Sequence, residues 1–166
     1  MEERQDIVLR ESPTPAGDVA PPPQAAAALV PAGRPLRRTG PDRWDLATDP
    51  TMLMRFSAAT ANAHRIHYDW PYATRAEGYP GLVVHGPLMP LLMGETLRTA
   101  GALPARVRLS HRNRAPLFCG DPASIRHAPD VGGPGVAASL ERGHPDHPVV
   151  CTRLAAHPLE RGTTHA

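Results

Sequence analysis

The sequence predicts an α+β fold in which an antiparallel sheet wraps around one buried helix. Three features predict it. The stretch Pro87–Ala100 (PLMPLLMGETLRTA) sets Leu88, Met89, Leu91, Leu92, Met93 and Leu97 around most of a helical circumference, the pattern of a helix buried on nearly all sides. Downstream of it, apolar and polar residues alternate in short runs separated by Gly, Pro and Asp, as in antiparallel strands with tight connections. Upstream, Asp49-Pro50 opens another helix, with Asp49 as N-cap and Pro50 at the first helical position.

In chain order, residues 1–11 (MEERQDIVLRE) contain a strand-like piece, Asp6 to Arg10. Residues 12–43 are rich in Pro, Ala and Gly with little apolar periodicity, which reads as a flexible or polyproline-like linker. Trp44–Thr48 is a short extended piece. The first helix runs from about Pro50 to Thr60, with Met52, Leu53, Phe56 and Ala59 on its apolar face. Ala61–Asp69 is a loop carrying Asn62, His64, His67 and Asp69. A short helix fits Trp70–Glu77 and stops before Gly78; Tyr79-Pro80-Gly81 is a turn, and Leu82–Val84 an apolar segment. Pro87 suits the first turn of the central helix, where its missing N–H had no partner, and Gly101 ends that helix. The expected strands are Arg106–His111, Arg114–Phe118, Pro122–His127, Val136–Leu140 and Val149–Ala156. The domain therefore spans 44–157, with a fraying tail at 158–166.

Composition narrows the function. The chain has 166 residues, 41% hydrophobic and 20% charged, which suits one globular domain. Net charge is +2 and aromatics are only 4%, with no basic stripe interleaved with rings, so no nucleic acid is expected as a partner. Cys119 and Cys151 lack metal or disulfide spacing and read as free thiols of a reducing compartment. The first eleven residues lack an apolar core for a signal peptide, and the longest apolar run, Leu82–Met93, is broken by His85, Gly86 and two prolines. The reading is a soluble cytoplasmic protein with no membrane span. Phosphate-loop, dinucleotide-binding and nucleophile-elbow motifs do not occur, and no cofactor is expected.

The stretch FSAATANAHRIHYDWPYA followed by GYPGLVVHGPL resembles the MaoC-like, hot-dog-fold hydratases and dehydratases, nearest the mesaconyl-CoA hydratase and type 2 3-hydroxyacyl-thioester dehydratase group. RAPLFCGDP resembles the strand and turn after that family's helix, and the match covers about Trp44 to Ala156. EERQDIVLRE also resembles the closing strand of a preceding hot-dog half in longer members. The resemblance implies an acyl-thioester substrate, most simply an acyl-CoA. It also implies a partner, because hot-dog sites form at dimer interfaces: another copy, or a separate first half supplied in trans.

It further implies interconversion of 3-hydroxyacyl and 2-enoyl thioesters. His67 is the candidate general acid and base, since an imidazole exchanges protons near neutral pH. Asn62 stands where many relatives have Asp, and its amide orients but takes no proton. The Gly86 N–H, at a helix N-terminus, is the candidate oxyanion donor. His64, Arg65, Val84, His85 and Leu88 are candidate substrate-binding residues, with the apolar helix and Leu82–Val84 lining an acyl pocket.

Each has a plainer reading. His64 is an orienting residue for His67, Asp69 a helix cap, His85 a brace for the turn, and Arg65 one side of an ion pair. Arg106, Arg108, Arg112 and Arg114 read as a solvated face, and Cys119 as a turn residue. His64, His67 and His85 have no carboxylate or cysteine to complete a metal set, so no metal is expected. Two rival functions stay open: a non-catalytic hot-dog subunit that completes a pseudo-dimer, and a hot-dog thioesterase. Thioesterases place an acid at the start of the central helix, where this chain has His85-Gly86-Pro87.

Overall fold

The computed structural model describes residues 34–159. The strand expected at Asp6–Arg10, most of the linker and the end of the tail lie outside the described residues. Six strands and two α-helices lie among the described residues: β1 Leu36–Arg38, β2 Arg43–Leu46, α1 Pro50–Ala59, α2 Leu88–Thr99, β3 Val107–Asn113, β4 Ala123–Pro129, β5 Val136–Arg142 and β6 Val149–Pro158. All strand pairs are antiparallel, in the order β1-β2-β4-β5-β6-β3.

Local chemistry accounts for most boundaries. Asp49 Oδ1 accepts the Met52 N–H at 2.7 Å and Pro50 opens α1, an N-cap of the kind worth about 1 kcal/mol. β2 alternates, with Trp44 and Leu46 inward. β5 and β6 meet in a hairpin whose register shifts at Leu140/Glu141. α2 packs against β4, β5 and β6 and buries Leu88, Met89, Leu92, Met93, Thr96 and Leu97. Leu53, Met93, Leu97, Leu117, Ile125 and Leu140 have no exposed surface and form the centre of the core.

Four expectations change. α2 is not buried on every side: Leu91 is 61% exposed, and Glu95 and Arg98 form an ion pair on the same outward stripe. β1 lies inside the stretch read as linker, because Leu36 packs against the core and the strand pairs with β2 through Leu36↔Leu46. Arg114–Phe118 is not a strand. Pro116 has no N–H to give a ladder, and the segment crosses to Leu82–Val84 instead, through Val84 N to Leu117 O and Cys119 N to Leu82 O, both 2.8 Å. The helix expected over Trp70–Glu77 is a wide π turn at Tyr72–Ala76, with Tyr79 N reaching Ala73 O at 2.9 Å. Among the described residues, no helix is long and apolar enough to cross a membrane.

Candidate active site

The loop after α1 is shaped by its own polar groups. Ala61 takes a left-handed φ of 51°, and the Asn62 N–H returns to Ser57 O at 2.9 Å. Asn62 Oδ1 accepts the His64 N–H at 3.0 Å, an Asx-type turn that redirects the chain. A single 3-10 turn at Arg65–His67 follows, anchored by the buried Ile66. Val83 donates its N–H to Ile66 O at 3.0 Å, and His67 Nδ1 lies 2.7 Å from Val83 O. A carbonyl only accepts, so His67 Nδ1 carries the hydrogen and Nε2 is the basic nitrogen of the neutral ring.

His67 is 6% exposed, and burial pushes it below the ordinary histidine value of 6.5; the Val83 bond opposes this and His64 reinforces it. The His85 ring stacks on it, with centroids 3.7 Å apart and planes 17° from parallel. His85 has no exposed surface, and burial with the neighbouring His67 pushes it down to about 4. Its Nε2 lies 2.8 Å from Ser57 Oγ, and the Phe56 ring meets it edge-on at 4.8 Å. His85 Nδ1 is buried without a partner among the described residues.

The next residue is Gly86, at the entrance to α2. Pro87 and Pro90 have no N–H, and the Leu88 N–H is taken by His85 O at 3.1 Å. The Gly86 N–H meets no acceptor among the described residues. Asn113, at the end of β3, donates from Nδ2 to Gly86 O at 3.3 Å and accepts from Thr152 Oγ1 at 2.9 Å. A Cβ on Gly86 would approach Asn113 Nδ2 to 3.0 Å, so glycine lets the two sit this close.

The fold thus brings His67, His85 and the Gly86 peptide together, with Asn62 shaping the loop that carries His67. His64 is exposed and meets His67 edge-to-face at 5.9 Å. Arg65 forms an ion pair with Asp69 at 2.7 Å and lies over the Tyr72 ring. Asp69 Oδ1 accepts the Tyr72 N–H at 3.1 Å, so Asp69 caps the turn it precedes. Val84 and Leu88 are both buried in the core. A hollow of about 440 Å3 lies at the other end of α2, lined by residues such as Leu103, Pro104, Val136 and Pro158; none of the candidate residues borders it. Burial raises the Cys119 thiol to about 11, which suits an inert thiol rather than a nucleophile. Among the described residues, no cluster of His, Cys, Asp and Glu is arranged to hold a metal ion.

Sequence reasoning passed over Ser57 and Asn113. Ser57 sits among the apolar positions of α1, and a small polar residue there signals a buried partner. Asn113 is surrounded by arginines in the sequence and gave no such signal.

Residues 1–119 match the family described as "Hydroxyacyl-thioester dehydratase type 2". The chain is 44% identical over 146 residues to a mesaconyl-C(4)-CoA hydratase of Chloroflexus aurantiacus, covering 88% of this chain and 46% of that protein. It is 37% identical over 84 residues to a mitochondrial hydroxyacyl-thioester dehydratase type 2 of Schizosaccharomyces pombe, covering 49% of this chain and 28% of that protein. The chain therefore spans less than half the length of both relatives. Among solved structures it is similar to HtdX of Mycobacterium tuberculosis, with TM-score 0.57 and 22% identity over 69% of this chain and 46% of that one. It is also similar to an (R)-hydratase from A. caviae, with TM-score 0.51 and 16% identity over 69% of this chain and 89% of that one. At these identities the structures speak to fold alone.

Proposed function

The chain belongs to the hydroxyacyl-thioester dehydratase type 2 family and has the hot-dog fold, and from that premise we propose that it is an acyl-thioester hydratase/dehydratase acting on acyl-CoA esters. The observation that carries this reading is the His67–Val83 hydrogen bond, with the His67 ring stacked on His85, the residue before Gly86. In hydration, Nε2 of neutral His67 takes a proton from water as the water oxygen bonds to the β-carbon of the enoyl thioester. The electron pair moves onto the thioester oxygen, which the Gly86 N–H holds as an enolate. His67 then returns the proton to the α-carbon, so one water is added and the ring ends neutral. A fixed N–H aimed at developing charge is worth about 3 kcal/mol, and proton transfer by a positioned side chain about 10²–10⁴ in rate.

Asn62 supports the loop and orients water or the thioester, with His64 and Arg65 at the outer rim, Val84 and Leu88 forming the apolar wall behind the acyl group, and the His85 ring beside them. A second hot-dog half, identical or separate, completes the site. The edge strand β3 supports this: among the described residues it pairs only with β6, and its residues from Arg108 to Asn113 are exposed. The two free thiols fit a reducing cytoplasm.

One observation favours a second reading. Asn62 cannot take a proton, and its side-chain oxygen is engaged by the His64 N–H. A chain with one proton carrier also suits a supporting subunit for a catalytic half elsewhere. Loss of enoyl-thioester absorbance with crotonyl-CoA and mesaconyl-CoA separates the two. Turnover by the chain alone, abolished by His67→Ala, supports the enzyme. Turnover that needs a second hot-dog half and is indifferent to His67→Ala supports the subunit.

A further inference from the structure

Two side chains outside the proton-transfer set bear directly on how His67 is held. Among the described residues, the ring of His67 has one hydrogen bond, from Nδ1 to Val83 O. A ring held at Cγ by its own side chain and at Nδ1 by one hydrogen bond still rocks about χ2 within the angular tolerance of that bond, which swings its plane. What blocks the swing is the face of His85, stacked at 3.7 Å.

His85 is itself fixed by Ser57. Both are buried polar groups, 0% and 5% exposed, on segments 28 residues apart, and each would be costly in the core without the other. The 2.8 Å contact between Ser57 Oγ and His85 Nε2 sets the rotation of the His85 ring, and Phe56 closes against it. Seen as a chain of contacts, α1 reaches through Ser57 to His85, and through His85 to the one ring that carries protons.

We propose that Ser57 and His85 are positioning residues for His67: the Ser57 hydroxyl pins the His85 ring, and the stacked His85 face holds the His67 imidazole in the plane that presents Nε2 to substrate. The use made of Nε2 rests on the hydratase reading above; the positioning itself does not. A neutral ring in this place also suits the cycle, since a second charge stacked on the His67 imidazolium would repel it.

The test compares Ser57→Ala, His85→Phe and His85→Ala in the full chain, with melting temperature as the check on folding. Ser57→Ala is expected to lower kcat about 10-fold or more with KM within about twofold, because a small misplacement of a reacting group costs rate rather than binding. Ring NMR of His67 without substrate is expected to show its titration moving up toward 6.5 as the looser site admits water. His85→Phe keeps a flat ring against His67 and is expected to retain more activity than His85→Ala. Wild-type kcat with an unchanged His67 titration in Ser57→Ala overturns the proposal, as does equal loss in the two His85 variants. If His85→Ala does not fold, Ser57→Ala against His85→Phe decides. If the wild-type chain turns over no enoyl thioester even with a partner half, the hydratase reading fails, while the NMR comparison still decides the positioning.

Discussion

His67 Nδ1 lies 2.7 Å from the carbonyl oxygen of Val83, and that bond assigns the tautomer of the proton carrier. The assignment has a kinetic consequence. Water activation and α-proton removal both begin with neutral His67, so both directions fail when the ring is protonated beforehand. Burial, helped by His64, holds the ring below 6.5, with the buried neutral His85 stacked on it and the Arg65–Asp69 pair on the same loop. The expected kcat/KM profile is flat above neutrality and falls toward acid with a midpoint below 6.5. A midpoint above 6.5 sinks the assignment of His67 as the base.

The same burial makes the fold acid-sensitive through His85. Its folded value is about 4 against 6.5 unfolded, so between those limits the unfolded chain binds more protons than the folded one. Stability is therefore full above 6.5 and is lost as pH falls toward 4. The size is up to about 3 kcal/mol for a fully buried ring. His67, also lowered, acts in the same direction. Melting temperatures taken from pH 7 down to about 4.5 are expected to fall steeply for the wild type and more gently for His85→Phe. Parallel slopes for the two proteins would remove His85 from the account.

Asn113 ties the start of α2 to the sheet, through Gly86 O on one side and Thr152 on the other. A methyl at position 86 would press on its amide at 3.0 Å. Gly86→Ala is expected to lower kcat about 10-fold by shifting the peptide that carries the oxyanion donor. Adding Asn113→Ala removes the atom in the way, so the double variant is expected to recover part of that loss. Strictly additive losses would show that the crowding does not set the donor's position.

How much of this was legible beforehand follows from the kind of interaction involved. The Asp49 cap, α1, α2 and the β5–β6 hairpin are written in local patterns, and the sequence predicted them within a few residues. The grouping of His67 with Gly86 was reached through resemblance, since the two are distant in the chain. The Ser57–His85 contact was not reached at all. It joins a helix interior to a segment 28 residues on, and nothing local in Ser57 says which polar atom it meets. Arg114–Phe118 misled in the other direction: set off by the Cys119-Gly120-Asp121 turn it read as a strand, but the missing N–H of Pro116 outweighs that. Leu91 misled because periodicity counts apolar residues and cannot say which face finds a partner.

Leu91 and the edge of β3 also frame the last expectation. β3 offers its outer backbone groups to no strand among the described residues, and Leu109 on it is 47% exposed. An uncovered strand edge pairs with another strand when one is available, and a two-fold axis beside β3 would pair the two copies antiparallel, so that residue i meets residue j and j meets i. Arg108 and Arg112 lie on the same strand, so this edge tolerates little added positive charge. Leu109→Lys is expected to turn a dimeric chain into a monomer while changing the stability of the single domain by no more than about 1 kcal/mol, because the lysine replaces a side chain that contributes little to it. Sedimentation equilibrium gives the mass of each. A wild type that stays monomeric rules out self-pairing through β3 and leaves a separate hot-dog half as the partner; a Leu109→Lys variant that remains dimeric moves the interface away from this edge.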